Sequence, residues 1–281
     1  MGRPAGSGRE ARRAASHAGN GLKVVRATVE YDGSAFFGLQ FQPHLRTVAG
    51  VLERALSQLF ASPIKISAAG RTDTGVHATG QVISFVTDRN FPFDRLAIAL
   101  NSALPADLSV RDVALEPPGF SARFSARERR YVYAIHNAPD RSAMLAHRAQ
   151  HVYAGLDLEA MIEAARALHG EHDFRSFCGT LPDNGVTVRC VKHLSIERRG
   201  ALIRVEIAAD SFVHRMVRTI VGTLVECGKG RRDPASLPAI LAARDRSAAG
   251  LTAPAHGLYL AGVRYLGGYD SYREPPIFVG S

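Results

Sequence analysis

Residues 64–86 read IKISAAGRTDTGVHATGQVISFV and contain two predicted strands with a glycine-punctuated loop between them. The patterns of 64–68 and 81–86 are typical of short strands, whereas Gly70, Gly75 and Gly80 indicate a loop. Two strands joined in this way form the centre of a split βαβ unit when a helix and a further strand lie on each side. The residues that flank this stretch therefore decide the fold.

Both flanks carry the required elements. Residues 23–31 alternate in polarity and predict a strand, and 48–60 carry the apolar stripe of a helix with Thr47 as its N-cap. On the other side, a helix over 94–103, which Asp94 can cap, precedes a strand over 108–114. The order β-α-β-β-α-β predicts a four-stranded antiparallel sheet with both helices on one face, the ferredoxin-like arrangement of common RNA-binding modules.

The second half of the chain repeats this order loosely. Its predicted elements are a strand over 130–136, a helix over 157–169 capped by Asp157, a hairpin of 186–197 and 201–208, a helix over 212–227, a short helix opened by Asp233, and a strand over 258–265. The predicted fold class is α+β, with two ferredoxin-like, RRM-like βαββαβ halves. We expect their antiparallel sheets to flank a central basic cleft, where a ligand site would lie.

The boundary between the halves falls near Pro117-Pro118-Gly119. The predicted domains are residues 23–117, which carry the glycine-punctuated loop, and residues 118–270, followed by a tail at 271–281. Residues 1–22 are rich in Arg, Ala, Gly and Ser and are predicted to form a disordered basic arm. A mitochondrial targeting peptide is the alternative for this arm.

Charge points to a polyanionic partner. The 281 residues contain 35 Lys and Arg against 26 Asp and Glu, a formal net charge of +9. With 46% hydrophobic and 22% charged residues, the chain has the composition of a globular protein, so neither a disordered nor a fibrous chain fits. Nucleic acid is the simplest partner for such a basic protein.

Cysteine usage and apolar runs limit the other classes. Cys178, Cys190 and Cys227 form no C-x-x-C pair, which argues against a structural zinc site and a disulfide scaffold and suits a reducing cytoplasm. No apolar run is long enough for a membrane span, so no membrane association is expected. His169 and His172 have metal-like spacing but no matching cysteine partner, and no metal or other cofactor is predicted.

One loop carries candidate chemistry. Asp73 lies among glycines that allow close approach of a ligand, with Arg71 two residues away. An aspartate beside a guanidinium is held ionised and can act as a nucleophile. An Asx-turn in a hairpin loop explains the same residue types. Local features leave both interpretations open.

Several ordered segments give a more specific indication. Arg71-Thr72-Asp73-Thr74-Gly75-Val76-His77-Ala78 resembles the active-site signature of the tRNA pseudouridine synthase A (TruA) family. The resemblance extends from about residue 25 to residue 265 through further segments in the family's order: Tyr31-Asp32-Gly33, 37–40, 120–125 with 130–133, 170–174, 216–222 and 255–260. This ordered set is far more specific than any one motif.

The resemblance implies an isomerase that converts uridine to pseudouridine in the anticodon stem-loop of tRNA, at positions 38, 39 and 40. It implies that Asp73 is the catalytic residue, that Tyr131 packs against the flipped uracil, and that Arg218 pairs with Asp73. Arg71 and Arg123 are candidate substrate-binding residues, and the run of arginines at 123, 127, 129 and 130 is a candidate phosphate contact. The resemblance also implies a homodimer, no cofactor and tRNA as the partner.

Two positions depart from the family pattern. Leu39 stands where members usually have Trp, and Ser121 stands where they usually have His. From another functional class, a non-catalytic tRNA-binding or RNA-folding protein with the same fold is the alternative, and the intact Asp73 weighs against it. A DNA-binding protein fits less well, because no helix-turn-helix is predicted.

Overall fold

A computed structural model of the protein describes residues 21–279. Its strands are β1 (Lys23–Tyr31), β2 (Ser67–Ala68), β3 (His77–Thr87), β4 (Leu108–Glu116), β5 (Ala126–Asn137), β6 (Gln150–Val152), β7 (Gly170–Asp173), β8 (Val188–Arg199), β9 (Leu202–Ala209) and β10 (Leu258–Tyr265). Its α-helices are α1 (Val48–Leu59), α2 (Leu96–Ala103), α3 (Leu158–Arg166), α4 (Met216–Gly228) and α5 (Leu237–Ala243). The mixed α+β class is confirmed.

The strands form one sheet with the order β4-β1-β3-β10-β5-β9-β8-β7, with β2 on β3 and β6 on β5. Most neighbours are antiparallel. The first half joins the second through a parallel pairing of β3 with β10, which sets Tyr259 opposite His77 and Leu260 opposite Ala78. The start of β3, and therefore the loop before it, lies at this seam.

Local signals explain why several elements begin and end where they do. The strands over 23–31 and 258–265 are confirmed at both ends. The Thr47 hydroxyl accepts a hydrogen bond from the backbone N–H of Gly50 and caps α1, and Asp157 caps α3 in the same way through Ala160. The hairpin between β8 and β9 turns at Gly200, where the backbone has a φ of 59°.

Other boundaries differ from the prediction. β3 begins at His77 instead of Gln81, because His77 and Ala78 pair with Tyr259 and Leu260 of β10. Gly80 therefore lies inside the strand, where a Cβ would be 2.2 Å from the Ala261 carbonyl oxygen. α2 is preceded by a short 3-10 turn, and Asp94 makes no side-chain capping bond there. The predicted cap is therefore wrong.

The helix predicted over 212–227 begins four residues later, at Met216. Arg215 has a φ of 61°, and the His214 carbonyl accepts a hydrogen bond from the Gly179 N–H at 2.8 Å. This tertiary contact keeps the chain out of the helix before Met216, although the apolar pattern continues through Phe212 and Val213. The helix predicted over 157–169 likewise ends at Arg166, and residues 170–173 form β7.

Two apolar layers cover the sheet. The larger core packs the helices against one face. A smaller cluster on the other face contains Val132, Ala134, Tyr259 and Phe278, so the last described residues of the chain lie against the back of the sheet. Within residues 21–279 no helix is long and apolar enough to cross a membrane. The basic arm predicted over 1–22 lies, as far as residue 20, outside the described residues.

Candidate active site

The loop that carries Asp73, residues 69–76 between β2 and β3, is fixed by hydrogen bonds at several points. The side-chain amide of Gln81 donates to the Gly70 carbonyl at 2.7 Å, and the Tyr31 hydroxyl and the Thr72 hydroxyl are 2.7 Å apart. Val76 N–H donates to the Asp73 carbonyl at 3.1 Å, and Gly75 adopts a φ of 79° within this turn. The turn thus displays a side chain on a rigid loop, and 31% of the Asp73 side chain remains exposed.

Two side chains, those of Arg218 and His214, reach the Asp73 carboxylate from the other half of the chain. Arg218 donates from one terminal nitrogen to Asp73 Oδ2 at 2.9 Å and from Nε to the Ala253 carbonyl at 2.8 Å. His214 Nε2 lies 3.6 Å from Asp73 Oδ1. Arg218 is on α4, whereas His214 precedes the helix, and both side chains reach Asp73.

Tyr131 lies on β5 at the edge of this site. It is 7% exposed, and its ring meets that of Phe212 edge to face with centroids 5.0 Å apart. Its hydroxyl would lie 3.4 Å from a Cβ placed on Gly70, so the phenol borders the start of the Asp73 loop. Burial raises the pKa of the Tyr131 phenol, and the nearby Tyr31 and the Asp73 carboxylate raise it further, so the hydroxyl is neutral.

Arg71 and Arg123 are exposed. Among the described residues no ion pair joins Arg71 to Asp73, so the guanidinium that contacts the carboxylate is the distant Arg218 and not the near one. The Arg123 guanidinium lies over the Phe124 ring at 5.0 Å. Both arginines remain open to solvent.

The arginine run before Tyr131 does not form one wet surface. Arg129 is half-buried and donates to the carbonyls of Ala69, Asp210 and Arg123, which fixes the Asp73 loop to the second half. Arg129 is therefore not a free phosphate contact, contrary to the expectation for the run. Arg130 is 3.4 Å from Glu128 and 3.6 Å from Glu206.

His77 is a buried residue of the seam whose tertiary contacts sequence reasoning did not predict. Its side chain is 2% exposed; Nδ1 accepts a hydrogen bond from the Gly33 N–H at 3.0 Å, and Nε2 donates to the carbonyls of His147 at 2.9 Å and His256 at 3.1 Å. Burial lowers the pKa of His77, although Asp32 opposes the shift, so the ring is neutral. The only sequence signal for His77 was its place in the motif, because Gly33, His147 and His256 are distant from it in the sequence.

Within the described residues, no group of three or more His, Cys, Asp or Glu side chains is arranged to hold a metal ion. His169 and His172, the pair with metal-like spacing, each direct Nε2 to a backbone carbonyl, that of Lys192 and that of His169 respectively.

Comparison with known proteins adds a family to this geometry. A family model described as tRNA pseudouridine synthase matches residues 27–125 and 164–266. The tRNA pseudouridine synthase A of Klebsiella pneumoniae (strain 342) is 45% identical over 242 residues, 86% of this chain and 90% of that protein. That of Enterobacter sp. (strain 638) is 44% identical over 253 residues, 89% of this chain and 94% of that protein.

Proposed function

The chain belongs to the tRNA pseudouridine synthase family, and from this premise we propose that Asp73 is the residue with which it isomerises uridine in the anticodon arm of tRNA. The isomerase activity on tRNA uridine follows from the family model and from relatives that are 45% and 44% identical over most of the chain. The observation that carries the assignment of Asp73 is the contact of its carboxylate with Arg218, beside Tyr131, on a loop held from both halves.

The reaction rearranges one nucleoside without net oxidation or reduction. The N1–C1′ bond breaks, the uracil turns while it is held, C5 bonds to C1′, and the C5 proton leaves while N1 gains one. The Asp73 carboxylate attacks C1′ of the ribose or C6 of the base, or assists elimination at the sugar. Each of these routes needs a carboxylate that is oriented in advance, which Arg218 provides through its fixed bonds to Asp73 and Ala253.

Tyr131 is proposed to pack against the flipped uracil. Stacking on an aromatic ring contributes about 1–3 kcal/mol per base, which helps to keep the detached uracil in place. Phe212 supports the ring from the side, so its orientation is set before the substrate arrives. With its raised pKa, the phenol serves in contact and hydrogen bonding rather than as an anion.

The remaining affinity is proposed to come from phosphates of the anticodon arm. A target uridine must leave the base stack at a cost of a few kcal/mol, so contacts elsewhere on the RNA have to offset it. Arg71 and Arg123 are exposed and are proposed to contact phosphates. Such contacts position the RNA and carry no sequence information.

The strand order supports two ferredoxin-like halves, and the proposal places a basic cleft between them. In β4-β1-β3-β2 and in β10-β5-β9-β8, the four strands of each βαββαβ unit follow the same spatial order, 4-1-3-2. We divide the chain into domains at 23–117 and 118–270 on this basis. A homodimer and a cytoplasmic location complete the proposal, and the mass of the protein in solution tests the first of these.

Incubation of the protein with an unmodified tRNA transcript, followed by mapping of pseudouridine, tests the function. Wild-type protein should form pseudouridine in the anticodon arm. Asp73→Asn should lower turnover by roughly 10³-fold or more, because it replaces the anion by an amide of the same size. The variant should bind tRNA within a few-fold of wild type. Product formed elsewhere in the tRNA, or an active Asp73→Asn variant, would contradict the proposal.

A further inference from the structure

We propose that the exposed rings of Phe37 and Phe41 form an aromatic platform on which bases next to the target uridine stack. The proposal rests on the proposed function and adds a binding surface for the RNA strand on either side of the flipped nucleotide. The term aromatic platform refers to these two side chains.

Both rings are exposed on an otherwise ordered segment. Phe37 is 48% and Phe41 53% exposed, whereas the neighbouring Phe36 and Leu39 are buried in the core. Among residues 21–279, Phe124 is the one other phenylalanine classed as exposed. Two large apolar rings in water do not contribute to the core, so packing within the fold does not explain them.

The segment that carries the aromatic platform contacts the Asp73 loop directly. Leu39 N–H donates to the Thr72 carbonyl at 3.0 Å. Gly38 has a φ of 80°, and a Cβ there would lie 2.9 Å from the Thr72 carbonyl oxygen and 3.3 Å from the Asp73 carbonyl carbon. Phe37 immediately precedes this glycine. A base stacked on Phe37 is therefore beside the loop that receives the uridine.

The platform is fixed before any ligand binds. Phe37 N–H donates to the Arg46 carbonyl at 2.9 Å, and the Gln42 side-chain amide donates to the Phe37 carbonyl at 2.9 Å. The Phe41 ring lies against Gly50, where a Cβ would come within 3.4 Å of it. Because the segment is already ordered, stacking of a base costs little conformational entropy in the protein.

Exposed aromatic faces beside the Asp73 loop point to nucleic acid as the occupant. Lys65 Nζ lies 5.1 Å from the Phe41 ring centroid and is paired with Glu53 Oε2 at 2.7 Å, and its side chain is 77% exposed. Exposed aromatic faces with a cation beside them are the elements with which proteins bind single-stranded nucleic acid. When the target uridine leaves the RNA helix, the neighbouring bases lose one stacking partner. An aromatic ring of the protein can then take the place of that partner.

An anticodon-arm RNA with 2-aminopurine on the 5′ or the 3′ side of the target uridine tests the platform. Wild-type protein should quench the fluorescence of one of these probes by stacking. In Phe37→Ala and Phe41→Ala the quenching should fall and the affinity for RNA should weaken by roughly 5- to 150-fold. Phe41→Trp should restore both, whereas Phe41→Leu, which is apolar but has no π face, should behave as Phe41→Ala does.

Ile98→Ala is the matched control, because Ile98 is 74% exposed on α2. The substitution removes one exposed apolar side chain outside the platform. The platform would be overturned if Phe37→Ala and Phe41→Ala bind and quench as Ile98→Ala does. It would also be overturned if Phe41→Leu behaves as wild type does. Wild-type protein that quenches the probe but forms no pseudouridine would contradict the proposed function and leave the platform supported. The two failures are thus distinguishable.

Discussion

Asp73 and the residues that contact it are far apart in the sequence, and this limits what can be predicted from the residues next to Asp73. Arg71 is two residues from Asp73 and was the expected local guanidinium, whereas the contact is made by Arg218. Arg218 was identified only through the resemblance to the family, because a motif match carries tertiary information that spacing along one loop does not. No motif predicts the hydrogen bond from Arg129 to the Ala69 carbonyl, since a run of arginines is equally compatible with a solvent-exposed surface.

His77 should make the stability of the protein depend on pH. Its pKa in the folded protein is lowered by burial, so the stabilisation is fully present above the ordinary pKa of about 6.5 and is lost as the pH falls through the lower folded pKa. Protonation would also take away the acceptor at Nδ1 that receives the Gly33 N–H. We expect the free energy of unfolding from urea titrations to fall from pH 8 to pH 5.

His77→Gln separates this effect from other titrations. The variant lacks an ionisable side chain at the seam, so it should be less stable than wild type at pH 8 but lose less stability on acidification. His136 and His256 also have pKa values lowered by burial and keep part of the pH dependence in both proteins. Equal losses in wild type and variant would show that His77 is not a source of the pH dependence.

Among the elements, those with strong local signals were predicted closely and those with tertiary constraints were not. Strands β1 and β10 and the start of α1 follow from alternation and from the Thr47 cap. The late start of α4 depends on the hydrogen bond from Gly179 to the His214 carbonyl, and the early start of β3 depends on its pairing with β10. Partners distant in the chain decided both boundaries.

Gly80→Ala should weaken the pairing of β3 with β10. The new Cβ would lie 2.2 Å from the Ala261 carbonyl oxygen, which is backbone and cannot turn aside, so the strands must separate. We expect a loss of about 1–3 kcal/mol or more in the free energy of unfolding. Turnover should fall with it, because the Asp73 loop enters β3.

Gly155→Ala is the control for that change, since no atom lies within 4 Å of a Cβ placed there and no positive φ is required. Its stability should stay near that of wild type. Urea unfolding of both variants, with the pseudouridine assay on the folded protein, gives the comparison. A fully stable Gly80→Ala variant would mean that the two strands are not as close as the structure has them.

For the whole molecule, the sequence predicted two similar halves but not how they join. His77 and Tyr259 stand opposite each other in a parallel pair, although they are far apart in the chain. Short strands with generic apolar patterns do not specify such a long-range partner. The seam brings the Asp73 loop of one half to Arg218 and Tyr131 of the other, which are the residues of the proposed active site.

The net charge of +9 predicts that binding of tRNA weakens as salt concentration rises. If Arg71 and Arg123 contact phosphates, Arg71→Gln and Arg123→Gln should each lower the slope of log affinity against log salt by about 1, with uniform loss across tRNA sequences. Arg89→Gln is the control, since Arg89 follows the far end of β3, about 33 Å of strand from His77. Fluorescence anisotropy at several salt concentrations measures the slopes. Equal slopes for wild type, Arg71→Gln and Arg123→Gln would place the phosphate contacts elsewhere, and the RNA would then have to approach Asp73 from a side that these two arginines do not border.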